Sequence, residues 1–141
     1  MTDYPLTGGC NCGAVRFEVT EPLVYAYYCH CTRCQRRSGS GAAPGVVPAL
    51  GSFKITEGED ALTSWNAGDG FDKSFCSKCG SHIVASDPSG SGLAAIRLGA
   101  FDGDPGIRPT TRHFTNYAAV WEPIPDDDPL EHFPESRMEG N

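Results

Sequence analysis

The chain has 141 residues, 39% of them hydrophobic, which is enough for one domain with a modest core. Its formal charge of −7 is uneven: residues 122–141 carry seven acids and one base, whereas residues 1–121 carry eleven acids and ten bases. Such a balance lacks the basic face that phosphate contacts demand, so non-specific nucleic-acid binding is excluded. No apolar run approaches the roughly 20 residues of a membrane span. The start, Met1–Pro5, carries neither a basic patch nor an apolar segment. A soluble, reducing, cytoplasmic setting is the expectation, and there cysteines serve as metal ligands rather than disulfides.

Seventeen glycines and eleven prolines imply short strands joined by many turns. Leu6–Cys12 leads in, and Ala14–Val19 reads as a half-buried strand behind a turn at Gly13. Val24–Cys29 is aromatic and β-favouring, and runs straight into Cys29-His30-Cys31-Thr32-Arg33-Cys34. Arg33–Ser38 has room for one helical turn before Gly39, Gly41 and Pro44 end it. Ala42–Ala49 reads as a strand that its two prolines place at an edge or bulge. Ser52–Thr56, Leu62–Asn66, Phe71–Cys76, Ser81–Ala85 and Leu93–Leu98 follow as strands. Asp102–Thr111 is a polar loop, and Phe114–Trp121 is assigned to closing the sheet. Trp65 and Trp121 are assigned to the core. The expected fold is all-β, with eight or nine short strands in one domain over residues 1–121. An acidic, proline-rich tail over 122–141 lies extended against it or stays disordered.

The seven cysteines divide by spacing into four and three. Residues i and i+2 of an extended segment share a face, so Cys29 and Cys31 aim at one point while His30 turns away. Cys34 folds back to the same point across a tight turn. Cys10 and Cys12 form a second such pair. Cys76-Ser77-Lys78-Cys79 is a CxxC knuckle, with Gly80 supplying the turn. Two pairs complete a closed, structural site of four thiolates, whereas three thiolates leave a fourth zinc position open, as a catalytic site does. Arg33, Arg36 and Arg37 directly follow the three-cysteine loop and are candidates to bind an anionic substrate. His113 is assigned to packing rather than ligation. His82, beside the knuckle, is a candidate hydrogen-bond partner for a ligand sulfur.

These motifs resemble the glutathione-dependent formaldehyde-activating enzymes, whose domain is shared with centromere protein V. The resemblance rests on Gly9-Cys10-Asn11-Cys12-Gly13, on Tyr28–Cys34 with Ser38-Gly39-Ser40, and on Phe75–Ser81. It spans roughly Leu6–Trp121. It implies a β-tent fold of several coiled sheets, a structural zinc on Cys10, Cys12, Cys76 and Cys79, and a catalytic zinc on Cys29, Cys31 and Cys34. It further implies a carbon–sulfur lyase that joins glutathione to formaldehyde. A zinc on three thiolates suits that chemistry, being a weak activator of water but a good holder of a further thiolate. Two other classes remain open on the sequence, a non-catalytic zinc-binding interaction module and a redox enzyme like methionine sulfoxide reductase. The redox class lacks a cysteine free of metal. The sequence leaves monomer and homodimer equally open.

Overall fold

The computed structural model describes residues 2–136. Leu6–Gly9 (β1) pairs antiparallel with Arg16–Val19 (β2), which also pairs with Phe53–Glu57 (β5) in a three-stranded sheet. The lead-in to the first cysteine pair is thus itself a strand. The other eight strands form one larger sheet: Tyr25–Cys29 (β3), Ala43–Val47 (β4), Leu62–Trp65 (β6), Asp72–Cys76 (β7), His82–Ser86 (β8), Ala94–Arg97 (β9), Thr111–His113 (β10) and Glu131–Phe133 (β11). Their spatial order is β11-β10-β3-β4-β9-β8-β7-β6. Among the described residues Thr32–Ser38 (α1) is the one α-helix, so the all-β expectation is met.

Side chains alternate across a strand, so the registers sort the large sheet into two faces. One row runs Ala26–Val46–Ile96–Val84–Ser74 from β3 to β7. Ala26, Val46, Val84 and Ile96 of that row pack with Leu6, Phe17 and Val19 of the small sheet, so the core lies between the two sheets. Phe17 anchors it, with its ring 5.3 Å from Phe53 and edge-on to Phe101 at 5.4 Å. That ring covers Gly8, where a Cβ would approach within 2.4 Å of it; no larger residue fits. Each fully buried Val, Ile or Phe contributes about 1.5–3 kcal/mol through the apolar surface it removes from water.

Three elements depart from the sequence reading. Ala43–Val47 is an inner strand flanked by β3 and β9, not an edge. Its Pro44 pairs opposite Tyr28, and the strand shares only Gly45 and Val46 with β9, so the proline falls outside that ladder. Phe114–Trp121 is not a strand. The closing strand is the shorter β10, and the chain then turns through Phe114, at φ 60°, into a 3-10 turn over Thr115–Tyr117. Trp65 and Trp121 are exposed rather than core, because β6 is the edge of the sheet and Trp121 follows that turn. Beyond Trp121 the described chain lies on the body and adds β11 in parallel to β10. Residues 137–141 of the acidic tail lie outside the described residues.

Ile96 is fully buried at the centre of the core row. Ile96→Ala should destabilise the metal-loaded protein by about 2–5 kcal/mol, read as a lower denaturant midpoint with an unchanged slope.

Candidate metal centres and their cationic face

The first centre joins distant parts of the chain. Cys10 and Cys12 flank the turn after β1, and Cys76 and Cys79 flank the turn between β7 and β8. Their four sulfurs lie within 4.8 Å of one another. Cys10 and Cys12 Sγ are 3.6 Å apart, and Cys12 and Cys76 Sγ 3.8 Å. Those spacings match the edge of a tetrahedron built on zinc–sulfur bonds of about 2.3 Å, an edge of about 3.8 Å. Backbone amides already point at the sulfurs, Val15 N–H to Cys10 at 3.2 Å and Lys78 N–H to Cys76 at 3.4 Å. The Ser81 hydroxyl lies 3.2 Å from Cys79 Sγ, and hydrogen bonds from Ser81 bring that thiol down to about 5. Ser81 therefore makes the sulfur contact for which His82 was the candidate.

The second centre is local. Cys29 ends β3, Cys31 caps α1 and Cys34 sits in its first turn, with all three sulfurs within 4.8 Å. The cap is made by sulfur: Cys34 N–H donates to Cys31 Sγ at 3.3 Å, where a serine or aspartate oxygen would ordinarily accept. Hydrogen bonds from the Cys29 and Cys34 thiols bring Cys31 down to about 2, while those same contacts and burial push Cys29 up. The three thiols thus share protons unequally and cannot all ionise without a cation among them. Either cluster could hold a metal ion. The donors fit zinc, since both sets are all sulfur and the four-sulfur set has zinc-like spacing.

His30 turns away from these sulfurs. It is buried and accepts from Arg112 Nη1 at 3.3 Å, and its backbone N–H donates to His113 carbonyl at 2.9 Å. Gln35 fixes the loop further, donating to the His30 and Tyr117 carbonyls at 2.8 Å each. His113 stacks flat on Tyr27, 4.7 Å between centroids, and bonds Tyr25 hydroxyl at 2.6 Å, so it packs as expected.

The three arginines part company around the helix. At about 100° per residue, Arg37 lies about 60° from Cys34, Arg33 about 100° and Arg36 on the far side. Arg33 pairs with Asp69 at 2.7 Å, and Arg36 is exposed. Arg37 is half-buried and within electrostatic reach of Cys34 and Arg97. Two cations missed in the sequence join it, Lys73 of β7 and Arg97 of β9. The registers Tyr27–Gly45–Arg97 and Lys73–Ala85–Ala95 put both on the face of the large sheet that also carries Cys29, opposite the core. A bulge that skips Ile83 sets Phe75 against His82 and re-aims that histidine. Burial, and after it Arg37 and Arg97, hold the His82 imidazole below its ordinary value and so neutral at pH 7. Arg97, His82 and Ser38 border a cleft of about 470 Å³ that extends towards Asn11. A single charge inside the apolar run Ala94-Ala95-Ile96-Arg97-Leu98 was the available signal for Arg97.

Likeness to known proteins defines the class. The family model for the glutathione-dependent formaldehyde-activating enzyme matches residues 5–117, and the chain belongs to that family. A Halomonas elongata protein described as a "Putative glutathione-dependent formaldehyde-activating enzyme" is 30% identical over 105 residues, 70% of this chain and 67% of that one. A crystal structure of a Rhodobacter sphaeroides protein superposes with a TM-score of 0.57 at 27% identity, covering 73% of this chain and 91% of the other. Among the described residues, no helix is long and apolar enough to cross a membrane.

On the opposite side of the three-cysteine loop, Arg112 forks onto Asp128 at 2.9 and 3.0 Å, and His132 donates to the same carboxylate at 2.6 Å. Arg112 first, then His132, hold Asp128 well below its ordinary 3.8, at about 2. A depressed carboxylate gives stability that is complete above its unfolded value and is lost as pH falls towards its folded one. Asp128→Asn should therefore lower the melting temperature at pH 7 and flatten its fall between about pH 4 and pH 2, as followed by circular dichroism.

Proposed function

We propose that the protein is a zinc-dependent carbon–sulfur lyase that adds glutathione to formaldehyde, giving S-(hydroxymethyl)glutathione, and that it holds two zinc ions. Cys10, Cys12, Cys76 and Cys79 would hold a structural ion that ties β1 to the β7–β8 turn. Cys29, Cys31 and Cys34 would hold a catalytic ion, which would keep a substrate thiol ionised at neutral pH. The observation that carries the reading is the contrast between the centres: one has four protein sulfurs, the other three together with a cluster of cations.

The chain's own residues do the rest. The helix-capping bond and the Gln35 contacts fix the loop, so the sulfurs need not reorganise when a thiol arrives. Arg37 favours negative charge beside Cys34. The substrate sulfur then forms a bond to the aldehyde carbon. The carbonyl π pair moves to oxygen, which takes a proton from solvent to become the hydroxymethyl group. In the cleavage direction the same bond breaks and sulfur keeps its electron pair. Arg33, tied to Asp69, and exposed Arg36 have lesser parts in this reading than Arg37.

A second reading, as an interaction module, draws on the exposed side chains of Tyr117, Val120 and Trp121. One experiment separates the two. Wild-type protein should contain about two zinc ions by elemental analysis and consume formaldehyde only with glutathione present. Cys34→Ser should hold about one ion, keep its fold and lose turnover, whereas Cys79→Ser should lose the fold with its ion. A Cys34→Ser variant that retains both ions and full turnover would refute the catalytic assignment. Two ions without any turnover in wild type would favour the module.

A further inference from the structure

Charge is distributed around the three-cysteine centre in a way that thiol capture alone does not require. The chain has eighteen acids against eleven lysines and arginines, so carboxylates are plentiful. Arg16, Arg33, Lys54, Arg108 and Arg112 each pair with one. Among the described residues, Arg36, Arg37, Lys73, Lys78 and Arg97 pair with none, and of these Arg37, Lys73 and Arg97 come from three different elements and converge near Cys34. Arg37 and Lys73 are half-buried, and burial first, then the neighbouring arginines, lowers the pKa of each. Crowding cations out of water beside one another is unfavourable unless something anionic joins them. Lys73 Nζ donates to the Phe71 carbonyl at 2.6 Å, which leaves two of its three donors for another acceptor. Arg37 and Arg97 offer planar forks suited to a carboxylate.

The charges can be counted. Three thiolates around a dication carry one net negative charge, and the three cations exceed it by two. A substrate thiolate takes up one of these, and a further anionic group takes up the other. The cleft bordered by Arg97, His82 and Ser38 gives the remainder of such a molecule a place to lie. Its volume falls within the ordinary range of small-molecule sites, roughly 300–1,000 Å³. Arg16, also in the cleft, is already held by Asp102 and does not compete for the anion.

We propose that Arg37, Lys73 and Arg97 form an anion anchor that selects thiols bearing a carboxylate over neutral thiols. The inference rests on the reading that the three-cysteine centre accepts a thiol, and extends it by naming the group recognised and two residues, Lys73 and Arg97, that recognise it. The anchor is a specificity device, so it acts on affinity and not on the bond-forming step.

The test is calorimetric titration of the zinc-loaded protein with two thiols of similar size, 3-mercaptopropionate and 2-mercaptoethanol, and separately with glutathione. Wild type should bind the carboxylate thiol at least about tenfold more tightly, the equivalent of one charge-assisted hydrogen bond. In the double variant Lys73→Met/Arg97→Met that preference should disappear, with zinc content and melting temperature unchanged and with 2-mercaptoethanol affinity falling less than that of 3-mercaptopropionate. Arg97→Lys alone should keep part of it, which separates lost charge from lost folding. Equal affinities in wild type, or a preference that survives in the folded double variant, would overturn the anchor. Glutathione binding unaffected by the variants would overturn the anchor and leave the glutathione reading standing. Preference for 3-mercaptopropionate with no binding of glutathione would sustain the anchor and remove glutathione as substrate. Binding of none of the three thiols would end both.

Discussion

The alternation of side chains along β3 is the constraint on which the rest of the molecule depends. Ala26 lies in the core row, while Tyr25, Tyr27 and Cys29 stand on the opposite face. Core packing therefore fixes where Cys29 points, and through it the whole three-sulfur centre. The same parity carries across β4 and β9 to Arg97, and across β8 to Lys73. A one-residue slip in any of these registers would send a cation into the core and an apolar residue to the site. Apolar burial in the core row opposes every such slip, so the geometry of the cationic face is set by packing behind it.

Local chemistry was legible in the sequence, and assembly was less so. CxC, CxxC and CHCxxC spacings act over a few residues, so the grouping of sulfurs into four and three followed from chain geometry alone. Strand positions followed from alternation in most of the chain. The interior position of β4 did not, because Pro44 signals an edge, and only the short pairing of β4 with β9 shows how an inner strand tolerates it. Lys73 and Arg97 were missed for a similar reason. Their relevance to Cys34 arises from inter-strand register, which is not written in any one segment. The arginines beside the cysteines drew attention by proximity in sequence, yet helical rotation leaves only Arg37 facing the sulfurs.

The region after Trp121 shows how composition can mislead. Its prolines and acids suggest a chain without a reason to order. One of those acids, Asp128, is nonetheless the partner that Arg112 requires, and Arg112 in turn lies 4.9 Å from the Tyr28 ring centroid and donates to His30. Acid excess and order are compatible where a single half-buried cation supplies the contact. This network braces the three-cysteine loop from the side away from the cleft, so rigidity and access are provided by different surfaces.

The parallel insertion of β10 between β3 and β11 also bears on how the polypeptide reaches this state as it is made. Cys29, Cys31 and Cys34 leave the ribosome within a few residues of each other, and a metal could gather them while most strands are unmade. The four-sulfur centre must wait for Cys79, and the outer edge of β3 stays uncovered until Thr111–His113 arrives. An aromatic edge left bare over that interval is a template for pairing with another nascent chain. Early capture of metal by the three-sulfur loop would shorten the stretch of β3 free to do so, giving that loop a protective part in biosynthesis.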